Sequence, residues 1–237
     1  MNKSLRLPIL SLTIAFSTFI GSFKASAQLA IPSTLDMGTA LKEALTQGTS
    51  KSADLLSAQN GFFGDATVKL LFPPEAQKAE QRLRSMGQGA LCDKIILSLN
   101  RAAEDAAAQA KPIFINAIKQ MTLDDVKNIL LGPNDAATQY FKRTTTVSLT
   151  AAFKPVIQNS LNKTNATQYY TQGANLYNRV PFVTKINPDI VDYATQKAID
   201  GIFIKIALEE LNIRQNSGAR PSPVMQQVFS FASKAKL

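Results

Sequence analysis

Three groups of side chains in this sequence have the types and spacing that chemistry needs. Asn100, Arg101 and Glu104 form the first; Asn100 and Glu104 are i,i+4 neighbours and share one side of a helical turn. Asn134, Asp135, Thr138, Tyr140 and Arg143 form the second, with Asn134 and Thr138 again at i,i+4. Gly132-Pro133 precedes that group, so a helix start there would leave backbone N–H groups free to hold an anion. Arg101 or Arg143 could add a bidentate partner for a carboxylate or phosphate. The third group is Asp200 alone, flanked by Ile199, Ile202 and Phe203. A carboxylate in such company needs a partner, and Lys197 or an arginine would serve. Plainer roles stand beside each of these. Asn134 or Asp135 would cap a helix, Arg143 would tie two helices through an ion pair, and Asp200 would sit in a structural salt bridge. The nine residues are candidate ligand-binding positions; none is assigned a catalytic role and none a metal.

What is missing narrows the chemistry further. The 237 residues contain no histidine and one cysteine, Cys92. Ser-His-Asp and Cys-His catalysis, histidine-ligated zinc and an intramolecular disulfide are therefore excluded. Cys92 lies in an apolar stretch and reads as a small buried hydrophobe. Ser160-Leu161-Asn162-Lys163 matches the S-x-x-K string of serine acyl-enzymes, but it falls at a polar helix end. Asn162-Lys163-Thr164 and Asn165-Ala166-Thr167 are sequons with meaning only in a eukaryotic secretory pathway. No phosphate-binding loop, dinucleotide fingerprint or calcium loop occurs, and no cofactor is expected. Asp124, Asp125 and Asp135 could bind a cation, though helix caps explain them first. Tyr140, Tyr169, Tyr170, Tyr177 and several phenylalanines could line a pocket between helices, or simply fill the core.

The elements that would position these groups read as helices throughout. Pro188–Arg214 is the longest, with Asn187 as its cap and Pro188 at the first helical position. Val191, Ala194, Ala198, Ile202 and Ile206 form its apolar stripe; Ile199, Phe203, Leu208 and Leu211 widen it. Such a helix is expected to be buried nearly all round and to serve as the spine of the fold. Its Lys197/Asp200, Lys205/Glu209 and Glu210/Arg214 spacings read as solvated pairs worth ~0.2–0.5 kcal/mol each. Helices are also expected at 36–57 with a kink near Gly48, 75–86, 90–110, 112–121, 123–131, 136–144, 147–162 with a kink at Pro155, 166–177 and from Pro221 onward, fraying after Ser233. Thr122 and Asp125 have capping-box spacing, and Thr144-Thr145-Thr146 is expected to be a joint. Tyr169, Tyr170 and Tyr177 are expected to be exposed or half-buried. Val68–Phe72 is apolar but lacks a partner strand, so it reads as extended loop. The expected fold is an all-α bundle of about eight to ten helices around the long C-terminal one.

The first 27 residues read as a removable address. Lys3 and Arg6 form a basic start, residues 7–23 are mostly apolar, and Ala25-Ser26-Ala27 has the A-x-A cleavage pattern. Cleavage after Ala27 would leave residues 28–237 as a single helical domain in the periplasm, with no membrane span. Lys3, Arg6 and Lys24 would leave with the segment and no acid would, so the +9 formal charge would fall by three. The remaining surplus is scattered, and no nucleic-acid partner is expected.

Several blocks also resemble a known family. They are Asn100-Arg101-Ala102-Ala103-Glu104, Lys111-Pro112-Ile113-Phe114, Ala117-Ile118-Lys119-Gln120-Met121 and Gly132-Pro133-Asn134-Asp135-Ala136-Ala137-Thr138-Gln139-Tyr140-Phe141. Further along come Tyr177-Asn178, Pro181-Phe182-Val183, Pro188-Asp189 and Thr195-Gln196-Lys197-Ala198-Ile199-Asp200-Gly201. In this order they are similar to the bacterial domain of unknown function 4197, over roughly residues 36–215. The resemblance implies an exported, mostly helical bacterial protein and carries no activity, cofactor or catalytic residue. Some relatives carry a lipoprotein-type signal; this sequence lacks the cysteine for it.

Together these readings point to a non-catalytic periplasmic protein that binds a small amphipathic or anionic ligand, or an envelope partner. The alternative is a hydrolase-type enzyme using Glu104, Asp135 or Asp200 as acid or base. A third reading, a structural protein that recruits a partner, calls for a large exposed apolar patch.

Overall fold

Asp189 starts the long C-terminal helix by accepting hydrogen bonds from Val191 N at 2.9 Å and Asp192 N at 3.4 Å. Asn187 in turn accepts from Asp189 N at 2.9 Å, so the chain turns into the helix through two successive side-chain caps. The helix therefore begins two residues later than its proline suggests, and Pro188 precedes the cap. The computed structural model describes residues 31–179 and 181–235. The expected signal segment, residues 1–27, lies outside them, as do residues 236 and 237; of the stretch expected to fray, Ser233 and Lys234 are still helical.

In chain order the helices are α1 (Thr34–Ser57), a 3-10 turn (Pro74–Ala76), α2 (Gln77–Ser85), α3 (Gly89–Ala107), α4 (Ala110–Lys119), α5 (Leu123–Leu131), α6 (Ala136–Lys163), α7 (Ala166–Tyr177), α8 (Ile190–Gln215) and α9 (Pro223–Lys234). No strand occurs among the described residues. The fold is all-α, as the apolar periodicity requires. α8 is packed by α1, α3, α6 and α7, while α1 also meets α4, α5 and α9. Ala194, Ala198, Ile202 and Ile206 of α8 are fully buried or nearly so, but Ile204 and Leu208 are 41% and 51% exposed. The spine is thus covered on its inner face and wet on its outer one. At the centre, Phe114 meets Phe141 edge-on at 5.2 Å and Phe203 at 6.3 Å between ring centroids. Cys92 is completely buried, and burial pushes its thiol up.

α1 is one helix through Gly48, where it passes close to Glu209 and Ile213 of α8. One helical expectation changes: the threonine joint does not exist, because α6 is one helix through residues 144–146 and through Pro155. Thr144, Thr145, Thr146 and Thr150 each donate their hydroxyl to the carbonyl four residues earlier, at 2.9, 2.6, 2.6 and 2.8 Å. Back-bonding to the helix satisfies the hydroxyls that would otherwise compete with it.

Between α1 and the 3-10 turn, residues 58–73 form a strap over α3 and α8, a series of turns as far as Val68 and extended from Lys69. Val68, Leu70 and Phe72 point inward with period two. Asn100 accepts from Leu70 N at 2.9 Å and donates to Leu70 O at 2.8 Å, imitating a neighbouring strand. Tyr193 donates to Leu71 O at 3.0 Å. Phe62 inserts over Gly201, where a Cβ would lie 2.6 Å from its ring. That close approach is why a glycine stands in the middle of α8.

Candidate functional site

The nine candidate residues do not converge. The first group belongs to the strap. Glu104, 4% exposed, accepts from Phe62 N at 3.2 Å and Phe63 N at 3.1 Å through one oxygen and pairs with Arg101 at 2.5 Å through the other. Arg101 also donates to Asn60 at 2.8 Å, supporting a residue held at positive φ. With Asn100 on Leu70, all three polar side chains are engaged with residues 60–70, and Glu104 lines neither of the two large cavities described below.

The second group divides three ways. Tyr140 is buried and donates to Ala117 O at 3.0 Å. Arg143 is exposed, 3.8 Å from Asp125 and stacked near the Tyr140 ring. Asp125 closes the expected capping box with Thr122, whose backbone and hydroxyl bonds hold its carboxyl below the usual range. Asn134 is exposed beside Arg214 and Phe229 in a smaller cavity of about 210 Å³.

The start of α6 does hold an anion, but the chain supplies it. Glu210 of α8 accepts from Ala137 N and Thr138 N, both at 2.9 Å, and from the Thr138 hydroxyl at 2.8 Å. Arg214 pairs with the same carboxylate at 2.8 Å and donates to Ile129 O at 2.7 Å and Leu130 O at 3.3 Å, capping the end of α5. The Glu210/Arg214 pair is therefore buried and structural rather than solvated. Its i,i+4 spacing suggested a surface pair, and only the fold reveals that its real partners lie more than seventy residues earlier. Similarly, Lys205 pairs with Asp65 of the strap, and Glu209 pairs with Lys51 at 2.6 Å. Arg220, equally buried, donates to Ile213 O and Arg214 O at the end of α8, at 2.7 and 2.6 Å.

Asp135, Thr138 and Asp200 do come together along a groove of about 620 Å³ between the strap, α6 and α8. Lys69, Lys142 and Lys197 also line it. Asp135 accepts from Gln139 at 2.9 Å, and Asp200 accepts from Gln196 at 3.0 Å with Lys197 at 3.7 Å. Each carboxylate is thus served by its own helix. Asp200 is about half exposed, not buried among its apolar neighbours in sequence. Among the described residues no group of three or more acidic or cysteine side chains gathers closely enough to hold a metal ion. No helix among them is long and apolar enough to cross a membrane.

A second cavity, about 610 Å³, opens between α2 and α7 and is largely apolar. Phe72, Ala76, Leu83, Ile95, Ala174 and Ile186 form its floor and walls. Met86 and Leu176 stand at its edge, 68% and 64% exposed. Tyr170 lines it too and, against expectation, is 4% exposed. Its hydroxyl is shut off from water and has no hydrogen-bond partner among the described residues. Burial raises the phenol well above its ordinary range, so it stays protonated and is a donor without an acceptor. Gly173 faces this space in mid-helix, and a Cβ there would meet nothing within 4 Å. The sequence signalled the tyrosines but not the cleft, because its walls come from α2 and α7, which are far apart in the chain.

No curated protein and no solved structure matches the chain. Residues 32–230 match the family described as Protein of unknown function (DUF4197), and the chain belongs to that family.

Proposed function

We propose that this is an exported, non-catalytic binding protein that holds a small amphipathic molecule in the α2–α7 cleft. The sequence of residues 1–27 supports delivery to the periplasm. The observation that carries the binding reading is an open apolar cleft of ligand size with an orphaned donor at its wall. Ligand pockets span roughly 300–1,000 Å³ and combine apolar walls with few polar groups. A buried hydroxyl without a partner costs about 1–3 kcal/mol; the Tyr170 hydroxyl is closed to the cleft as it stands, and an acceptor would recover that cost once the side chain turns toward the ligand. Gly173 supports the same reading. A glycine inside a helix costs about 0.5–1 kcal/mol against alanine, and no packing against its α-carbon explains this one.

The carboxylate-enzyme reading has less support. Glu104 is spent on the strap, and Asp135 and Asp200 are each bonded to a glutamine of their own helix. Native mass spectrometry of the protein purified from its own periplasm tests the proposal. A small-molecule adduct is expected in the wild type and its absence in Gly173→Phe, which fills the cleft from open space. An adduct retained by Gly173→Phe, or a bare wild type, would count against the cleft. A co-purifying protein in place of a small molecule would favour an envelope partner.

A further inference from the structure

We infer that the α2–α7 cleft selects an organic anion with an apolar body, its tail on the cleft floor and its negative head at the mouth against Arg82 and Lys94. This rests on the binding reading above and adds the charge of the ligand. Arg82 lines the cleft from α2 and is exposed, and its side chain makes no ion pair or hydrogen bond among the described residues. Lys94 of α3 stands 6.0 Å from the centre of the Tyr169 ring, itself part of the cleft wall, and likewise has no acidic partner among them.

Two acids beside Arg82 are already committed, and a third, Glu75 near the Tyr170 phenol, makes no ion pair among the described residues. Glu80, which also lines the cleft, is held by Arg84 through two contacts of 2.9 Å. The same guanidinium takes Asp93 at 2.8 Å. Arg84 thus occupies Glu80 and Asp93, and Arg82 and Lys94 remain as unspent cations beside an apolar surface. A planar guanidinium matches a carboxylate, sulfonate or phosphate through paired N–H donors.

The head belongs at the mouth and not at the floor. An anion taken deep among Phe72, Leu83 and Ile95 would lose its hydration without a cation to replace it. Glu75 also acts on the Tyr170 phenol electrostatically, which disfavours a second negative charge there. The floor therefore suits the apolar body.

The test is calorimetric titration of the signal-free chain with dodecanoate, dodecanol and dodecyltrimethylammonium, each below its micelle concentration. Dodecanoate is expected to bind about tenfold more tightly than the trimethylammonium compound, and added salt should weaken the acid alone. Arg82→Gln together with Lys94→Gln should bring the acid down to the level of the alcohol and leave alcohol binding unchanged. Gly173→Phe should abolish binding of all three. Equal affinity for the three probes would overturn the inference while leaving an uncharged binding cleft standing. Failure of every probe to bind would overturn both readings. Acid binding that persists in Gly173→Phe would place the anion elsewhere and overturn this one.

Discussion

Glu210 fills the anion position at the start of α6. Two backbone N–H groups, a threonine hydroxyl and a buried arginine all depend on its two oxygens. Removing it strands each of them away from water, so Glu210→Ala should cost about 3–5 kcal/mol in urea unfolding. Asp200→Ala, on an exposed part of the same helix, should stay within about 0.5 kcal/mol. Asp65 gives a pH signature. Its carboxyl is lowered from 3.8 to about 2, chiefly by the Lys205 ammonium and next by the Thr67 hydroxyl. A folded-state value below the unfolded one adds stability that is complete above about pH 4 and is lost as pH falls toward 2. Partial exposure screens the pair, so the loss is on the order of 1 kcal/mol. Asp65→Asn should remove that part of the acid sensitivity when stability is measured at pH 5 and pH 2.5. Residue types were readable from the sequence, and Thr122 with Asp125 forms the capping box its spacing announced. Partners were not: Glu104, Glu210 and Asp65 find theirs across the fold, at separations no local spacing encodes.

Helices were legible wherever apolar periodicity and a terminal signal coincided. α5 between Thr122 and Gly132 and α7 between Asn165 and Asn178 sit where the sequence put them. The threonines misled at α6, since low intrinsic propensity is a weak prior against packing on α3 and α8. Two helical glycines show how position decides the sign of one substitution. Gly201→Ala drives a methyl group into the Phe62 ring and should destabilise by about 1–3 kcal/mol. Gly173→Ala meets empty space and should stabilise by about 0.5–1 kcal/mol. Thermal unfolding of the two variants beside the wild type checks both signs at once.

At the scale of the molecule, the all-α architecture follows from a chain whose apolar residues recur at helical spacing and whose one extended stretch, the strap, is pinned by side chains rather than by a sheet. The α2–α7 cleft was not legible. It is a gap between two surfaces, each an ordinary amphipathic helix in sequence, and appears only when α3 and the strap fix their separation. Backbone chemical-shift mapping with dodecanoate tests the central claim, that this cleft is the binding site. The account predicts perturbations concentrated on residues 79–86 and 169–177. Shifts gathered instead around Lys69, Lys142 and Lys197, or none at saturating ligand, would contradict it.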